Sequence, residues 1–413
     1  MRRLGRNRLL AFLAVIGPGI ITAAADNDAG GITTYSVAGA LYRYDLLWVI
    51  VLITFVLAMI QEMCARMGVV TQKGLGELIR ENFGVKWTMF ALGTLLVANL
   101  ATTAAEFAGI AASLELFGVS RYFSVPAAAI VIWLLVVKGT FKTVERVFMA
   151  LTILYSTYII AGIMAKPNWS EVMHATLVPN FNASPGFVFL AIAVIGTTIT
   201  PWMQFFLQAT VVDKGVRVEN YKYQKWDVYI GALMTDVVSF FIIIAAGATV
   251  YGKVHGADIT AAHIAQALAP VAGRYAEILF AVGLFNASLL AAAVLPLSTA
   301  YTYTEAFGWE IGVSRKFSEA PMFYGIYTFS IIFGVAVVLL PNRGLIQIMI
   351  NAQAISGILL PVILVFMLKL INRKDVMGRY TNSRIYNIAV WAMAIVLIAM
   401  TLAWLGGLLL GLG

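Results

Sequence analysis

The stretch AAADNDAGGITT, Ala23 to Thr34, interrupts the first long apolar run of this chain. It places two carboxylates (Asp26 and Asp28), an amide (Asn27) and two adjacent glycines (Gly30 and Gly31) where a membrane helix has its middle. A charged group at membrane depth is costly and defaults to a functional reading. Backbone groups freed by a break in hydrocarbon cost several kcal/mol each unless they face protein or a wet cavity. The segment therefore reads as a broken helix whose break faces inward. Glycine permits the unwinding and lets a ligand approach the backbone.

Composition supports lipid as the solvent of this chain. Hydrophobic residues make up 61% of it and charged residues 12%, against about a quarter charged in soluble domains. Mean hydropathy is +0.88. A span needs roughly 20 apolar residues. Eleven runs qualify, at about 10–42, 46–67, 87–116, 123–138, 146–165, 186–212, 227–251, 275–304, 321–340, 344–370 and 385–411. The first is too long for a cleaved leader and is read as retained. With the N-terminus cytoplasmic, 22 of the 28 Lys and Arg residues fall on the inner side and 6 on the outer. This is the positive-inside bias. The net charge of +8 thus reports topology and gives no reason to expect nucleic acid. An odd number of spans puts the C-terminus outside.

A second run is damaged in the same way. GTTITPWMQ, Gly196 to Gln204, carries Pro201, which cannot donate a backbone hydrogen bond and disfavours helix just before it. Two interrupted helices at matching positions of two halves point to an inverted-repeat transporter with its substrate at the midplane. The whole chain, 1–413, is read as one transmembrane domain. Repeat one covers about 10–165, repeat two about 186–370, and an added helix about 385–411. Facing breaks present freed carbonyls as hard oxygen ligands beside Asp28, so the site suits a cation. The remaining features are bland. Cys64 stands alone and reads as a small buried hydrophobe. His174, His255 and His263 fall in the two longest outer loops without metal-ligand spacing. Asn168 and Asn182 open glycan sequons that matter only in a eukaryotic host. The inner segment DKGVRVENYKYQKWD reads as an interfacial loop.

These residues resemble the NRAMP family of divalent-metal transporters over most of the chain. GPGIITAAADNDAGGITTYSVAGALYRYDLLW is similar to the family's first helix, ARMGVVTQKGLGELIRENFG to the end of its second, and AAEFAGIAASLELF to its third. STAYTYTEAFGW and NAQAISGILLP resemble helices eight and ten. The resemblance implies an all-α membrane protein of the LeuT type, with eleven helices, two inverted five-helix repeats, and helices one and six unwound. The departures are as informative. The family's Asp-Pro-Gly-Asn is here Asp28, Ala29, Gly30 and Gly31. Its Ala-x-x-Met-Pro-His becomes Thr197, Thr198, Ile199, Thr200, Pro201 and Trp202. Its helix-three Asp-x-x-Glu becomes Thr103 to Glu106, without the first acid, and FSEAPMFYGIYTFSII lacks the helix-nine arginine pair.

Losing the thioether moves preference from soft metals toward Mg²⁺ and Mn²⁺, which suit carboxylate, carbonyl, hydroxyl and water. Mg²⁺ dehydrates reluctantly, so a site enlarged by Gly31 is expected to take it partly hydrated. The residues singled out for the ion are Asp28, Thr200, Gln204, Asn27, Thr197, Gly31 and Gln353, the last at a polar family position in helix ten. Asp26 (as an outer-vestibule acid), Trp202, Glu106 and Glu305 are read as path-lining, Glu62 and Asp236 have no assigned role, and Met203 reads as core filling. The expected partners are a divalent ion and the bilayer of the cell membrane, with no cofactor. The expectation is therefore Mg²⁺ transport, extending to Mn²⁺, by alternating access without obligatory proton coupling. A proton-coupled Mn²⁺/Fe²⁺ transporter is the alternative. A Na⁺-driven amino-acid symporter fits less well because two carboxylates crowd the break. An enzyme has no motif in its favour, neither His-Glu-x-x-His nor Gly-x-Ser-x-Gly.

Overall fold

A computed structural model describes residues 17–138, 152–254, 259–310 and 317–409. The basic N-terminal residues, His255, the start of the fifth run and the last four residues lie outside the described residues. Among the described residues eight helical stretches are long and apolar enough to cross a membrane, and two shorter apolar helices, Arg121–Val137 and Ile153–Met164, accompany them. The first run completes the set as two half-helices, α1 (Pro18–Asp26) and α2 (Ala29–Tyr42). Then follow α3 (Leu47–Thr71), α4 (Leu75–Glu115), α5 (Arg121–Val137), α6 (Ser156–Met164) and α7 (Trp169–Leu177). The sixth run is again halved, into α8 (Pro185–Thr198) and α9 (Pro201–Asp213). The chain ends through α10 (Tyr221–Thr249), α11 (Ala276–Phe307), α12 (Pro321–Leu339), α13 (Leu345–Ile371) and α14 (Arg384–Leu409).

Each break has a local cause. Asn27 (ψ 56°) and Asp28 (ψ 179°) leave the helical region, and the Asp28 side chain caps α2 by accepting from Gly31 N. Ile199 and Thr200 do the same ahead of Pro201, which occupies the first position of α9, where its missing N–H is no loss. The glycines behave otherwise than expected. Gly30 and Gly31 lie inside the first turn of α2, and the unwound pair is Asn27–Asp28. What requires glycine there is close packing: a Cβ on Gly30 would run into the Gln353 amide. The long outer segments are also more ordered than loops. Asn168 caps α7, which carries His174, and Thr260 and His263 form a capping box.

The end of the bundle where α1 begins is called proximal here. At the distal end α2 packs on α8, and at the proximal end α1 packs on α9, so the two broken segments run antiparallel and meet at their breaks. α10 lies against α1, α2 and α3, while α4 packs along α11 and α13. Small residues let these backbones touch, as membrane packing requires. A Cβ on Gly231 of α10 would sit 2.7 Å from Gly19 O, and Gly196 of α8 meets Gly357 of α13 with no side chain between them. The proximal start of α1 is clasped by α10: Gly17 N and Gly19 N donate to the two Asp227 oxygens at 3.0 and 2.6 Å. Beside this clasp, burial pushes the Lys214 ammonium down from its ordinary range, and the Asp227 charge partly offsets the shift. Glu62 accepts from Arg66 and from Tyr221, joining α3 to α10, and Arg66 also reaches Tyr380 O, Thr381 O and Asn382. In α4, Gly84 takes φ 76°, a left-handed backbone that turns the segment before it away from the span. α14 packs on α13 and α8 and is otherwise largely open to lipid, as an addition outside the two repeats. Cys64 is fully buried.

Candidate functional site

The two breaks meet around Gly31. A Cβ placed there would stand 3.1 Å from Thr197 Oγ1, 3.2 Å from the backbone oxygen of Asp26 and 3.3 Å from Asp28 Oδ1. Each oxygen has its own local origin. Asp26 ends α1, so its carbonyl has no partner one turn on. Thr197 sits in the last turn of α8. Asp28 is fixed by its cap to α2. Side-chain-free Gly31 lets all three converge on one point from both halves of the molecule.

Further buried acceptors lie on the elements packed around Asp28. Gln353 of α13 holds its Nε2 at 3.5 Å from Asp28 Oδ1, and its Oε1 has no partner. Glu106 of α4 accepts from Ala29 N at 3.2 Å and lies within hydrogen-bonding reach of the Asp28 carboxyl, with Oε1 unpartnered. The hydroxyls of Thr197 and Thr200 are likewise buried and unpartnered. The buried Tyr155 hydroxyl faces the Asp28 and Glu106 charges from the segment preceding α6. Asn286 of α11 reaches Tyr155. Buried polar atoms in proteins are nearly always satisfied, and exceptions call for an explanation such as a bound ion or water. Here the orphans are oxygens, one on the Glu106 carboxylate and one on the Gln353 amide beside Asp28, and among the described residues the chief influences on Asp28 and Glu106 include no Lys, Arg or His. Among the described residues no cluster of three or more His, Cys, Asp or Glu forms a metal cage. A set of two carboxylates and neutral oxygens can bind a cation and let it go again.

The residues singled out from sequence separate into three groups. Asp28, Thr197, Gly31 and Gln353 come together, with Thr200 buried at the cap of α9. Glu106, read only as path-lining, stands beside Asp28. Gln204 is engaged by its own helix: with its amide nitrogen turned inward it donates to Pro201 O at 2.8 Å and to Thr200 O. Asn27 lines a cavity of about 590 Å³ between α1, α6 and α10, together with Tyr155 and Thr235. Trp202 is buried, edge-on to Phe206 at 5.7 Å. Glu305 lies at the proximal end of α11 against Gly74. Ser288 of the same helix is at the level of the site, touching Gly109 beside Ala29, so 17 residues at 1.5 Å place Glu305 about 25 Å away. Asp26 is 3% exposed and faces Thr235 and Asp236 of α10. The distal cavity of about 410 Å³ is lined instead by Val37, Ala112, Glu115, Arg121 and Gln347, among others. Tyr155 and Asn286 went unnoticed in the sequence. Asn286, a lone amide within an apolar run, carried a signal of the kind that singled out Asp28; Tyr155 carried none.

Comparison with known proteins gives a consistent answer. The pattern of the family described as "Natural resistance-associated macrophage protein-like" matches residues 19–406. A protein of Deinococcus radiodurans named divalent metal cation transporter MntH is 28% identical over 423 residues, covering 98% of this chain and 92% of its own. The crystal structure of a manganese transporter from Eremococcus coleocola, in complex with an aromatic bis-isothiourea compound, superposes with TM-score 0.80 at 22% identity, covering 98% of this chain and 89% of that one. The crystal structure of MhsT in complex with L-phenylalanine gives TM-score 0.62 at 16% identity, over 94% and 97% of the chains.

Proposed function

The chain belongs to the Nramp family, and on that premise we propose that it carries Mg²⁺, and Mn²⁺ with it, across the membrane as a partly hydrated ion without obligatory proton coupling. The proximal side is cytoplasmic in this reading, following the charge bias, and the C-terminus faces out. The observation that carries the reading is the convergence on Gly31. Three oxygens, Thr197 Oγ1, Asp26 O and Asp28 Oδ1, stand 3.1–3.3 Å from where a Gly31 side chain would begin, so its absence leaves an oxygen-lined face at the two breaks. Mg²⁺ dehydrates reluctantly, which is the reason for proposing that it is carried partly hydrated. Sulfur, which would favour softer metals, is replaced by the Thr200 hydroxyl. Asp28 supplies the charge, Gln353 and Thr197 accept or orient water, and Glu106 adds a second carboxylate. The membrane potential is a sufficient driving force, at about 2.3 kcal/mol per charge per 100 mV and twice that for a dication.

The second reading is a proton-coupled Mn²⁺/Fe²⁺ transporter. Glu106 beside Asp28 favours it, as do the names of the relatives. Thr103 in place of a helix-three acid and an α12 without arginine count against it. The deciding experiment is uptake of Mg²⁺, Mn²⁺ and Ca²⁺ into proteoliposomes with internal pH recorded. Mg²⁺ entry without acidification supports the first reading. Acidification tied to Mn²⁺, with no Mg²⁺ response, refutes it.

A further inference from the structure

Beside the Gly31 site, where the end of α1 faces α10, lies a second group of oxygens that the proposed transport does not use. Asp26 ends α1 with its Oδ1 unpartnered, and Asp236 of α10 has both carboxylate oxygens unpartnered. They are 3% and 2% exposed. The Asp26 carboxyl feels the charges of Asp28 and Asp236 and faces the buried Thr235 hydroxyl. Tyr35 of α2 feels both Asp26 and Asp236 and reaches Ser239, and its hydroxyl bonds Thr198 of α8 at 2.7 Å. Thr54 of α3 closes the group against Asp236. α1, α2, α3, α8 and α10 bring two carboxylates and five hydroxyls, Asp28 adds its charge from the neighbouring site, and Tyr155 and Ser156 line the cavity beside Thr235. Among the described residues the chief influences on these acids include no Lys, Arg or His.

We propose that Asp26 and Asp236, with the hydroxyls of Thr235 and Tyr35, form a second cation site inside the bundle, occupied by a resident alkali cation. Two buried carboxylates without a basic partner are costly when ionised and are relieved either by a proton or by an opposite charge; the proposed site takes the second course. An all-oxygen donor set of carboxylate and hydroxyl suits a hard ion. Asp28 is two residues away, and a dication there repels a second dication twice as strongly as a singly charged ion. That choice of charge rests on the reading of Asp28 as the ligand of the transported ion; the existence of the site does not. The bound ion would fasten the unwound end of α1 to α10 and so hold the Asp26 carbonyl toward Gly31.

The test is thermal unfolding of the full-length protein in detergent, free of divalent ions, in NaCl, KCl or choline chloride at equal ionic strength. A ligand that binds only the folded state raises its midpoint. The midpoint is expected to rise by several degrees in NaCl or KCl over choline chloride, and Asp236→Asn to abolish the rise. Where that variant fails to fold, Thr235→Val, which keeps the carboxylates, is expected to raise the salt concentration for half-maximal shift roughly tenfold. Equal midpoints in all three salts overturn the proposal, as does a rise that survives both variants; where a separate MgCl₂ series then gives a rise that Asp236→Asn abolishes, the alkali assignment falls and a cation site remains. Repeating the salt series in Asp28→Asn separates the two readings. Loss of uptake there with the alkali shift retained supports both, and retained uptake defeats the transport site while leaving this one standing.

Discussion

Replacing Gly31 with alanine tests the candidate site without disturbing the fold that holds it. The new methyl would stand 3.1, 3.2 and 3.3 Å from Thr197 Oγ1, Asp26 O and Asp28 Oδ1. These contacts are tight but require movements of only a few tenths of an ångström. Gly31 is in the first turn of α2 with helical backbone, where alanine is favoured over glycine by up to about 1 kcal/mol. Stability is therefore expected to change little, with the helical gain offsetting the crowding. The methyl crowds the oxygens proposed to face the ion. Hydrogen bonds to charged groups contribute about 1.5–3 kcal/mol, and losing one such contact weakens binding by about 10- to 150-fold. The assay is Mn²⁺ and Mg²⁺ uptake into proteoliposomes, with the melting temperature of the same preparation as control. The expected result is an apparent affinity lower by one to two orders of magnitude at an unchanged melting temperature. Gly31→Ala protein that transports with wild-type affinity refutes the convergence of oxygens at that point as the ion's place.

Asp28→Asn keeps a good helix cap and removes the charge. A carboxylate about 4 Å from a dication at an effective dielectric near 20 attracts it by about 8 kcal/mol before desolvation, so uptake is expected to fall below detection while the protein elutes and melts normally; residual uptake above one tenth would contradict this. Thr200→Met restores a thioether, and the ratio of Cd²⁺ to Mg²⁺ uptake is expected to rise roughly tenfold; an unchanged ratio removes Thr200 from the site. An uncoupled dication follows the membrane potential alone, so a K⁺ diffusion potential of about 59 mV is expected to change its steady-state accumulation about 100-fold; accumulation that tracks an imposed pH gradient instead would show coupling.

Much of the architecture was legible because lipid imposes strict rules. The eleven runs, the two breaks and their opposed placement follow from apolar length, from charges at depth and from Pro201. The details that escaped depend on packing. Gly30 and Gly31 resemble helix breakers in sequence, yet tertiary contact with Gln353 and Thr197 makes them helical spacers. Gln204 lies one turn after Thr200 and so shares its face, but its side chain is long enough to return to carbonyls of its own first turn. Asp26 and Asp28 are indistinguishable by composition. Two residues of unwound chain turn one toward α8 and α13 and the other toward α10. The proximity of Glu106 and Tyr155 to Asp28 depends on how α4 and α6 pack, which no local pattern encodes.

The clasp between Asp227 and the start of α1 leaves a particular genetic signature. It grips the backbone amides of Gly17 and Gly19, and a Cβ on Gly19 would meet the Asp227 and Val228 backbone at 2.8 Å. Drift in the side chains of α1 beyond these two glycines therefore leaves the grip intact, whereas one codon in α10 releases it. Authority over whether the proximal half-helix stays docked resides in its neighbour, and suppressors of a jammed or leaky carrier should be sought there first.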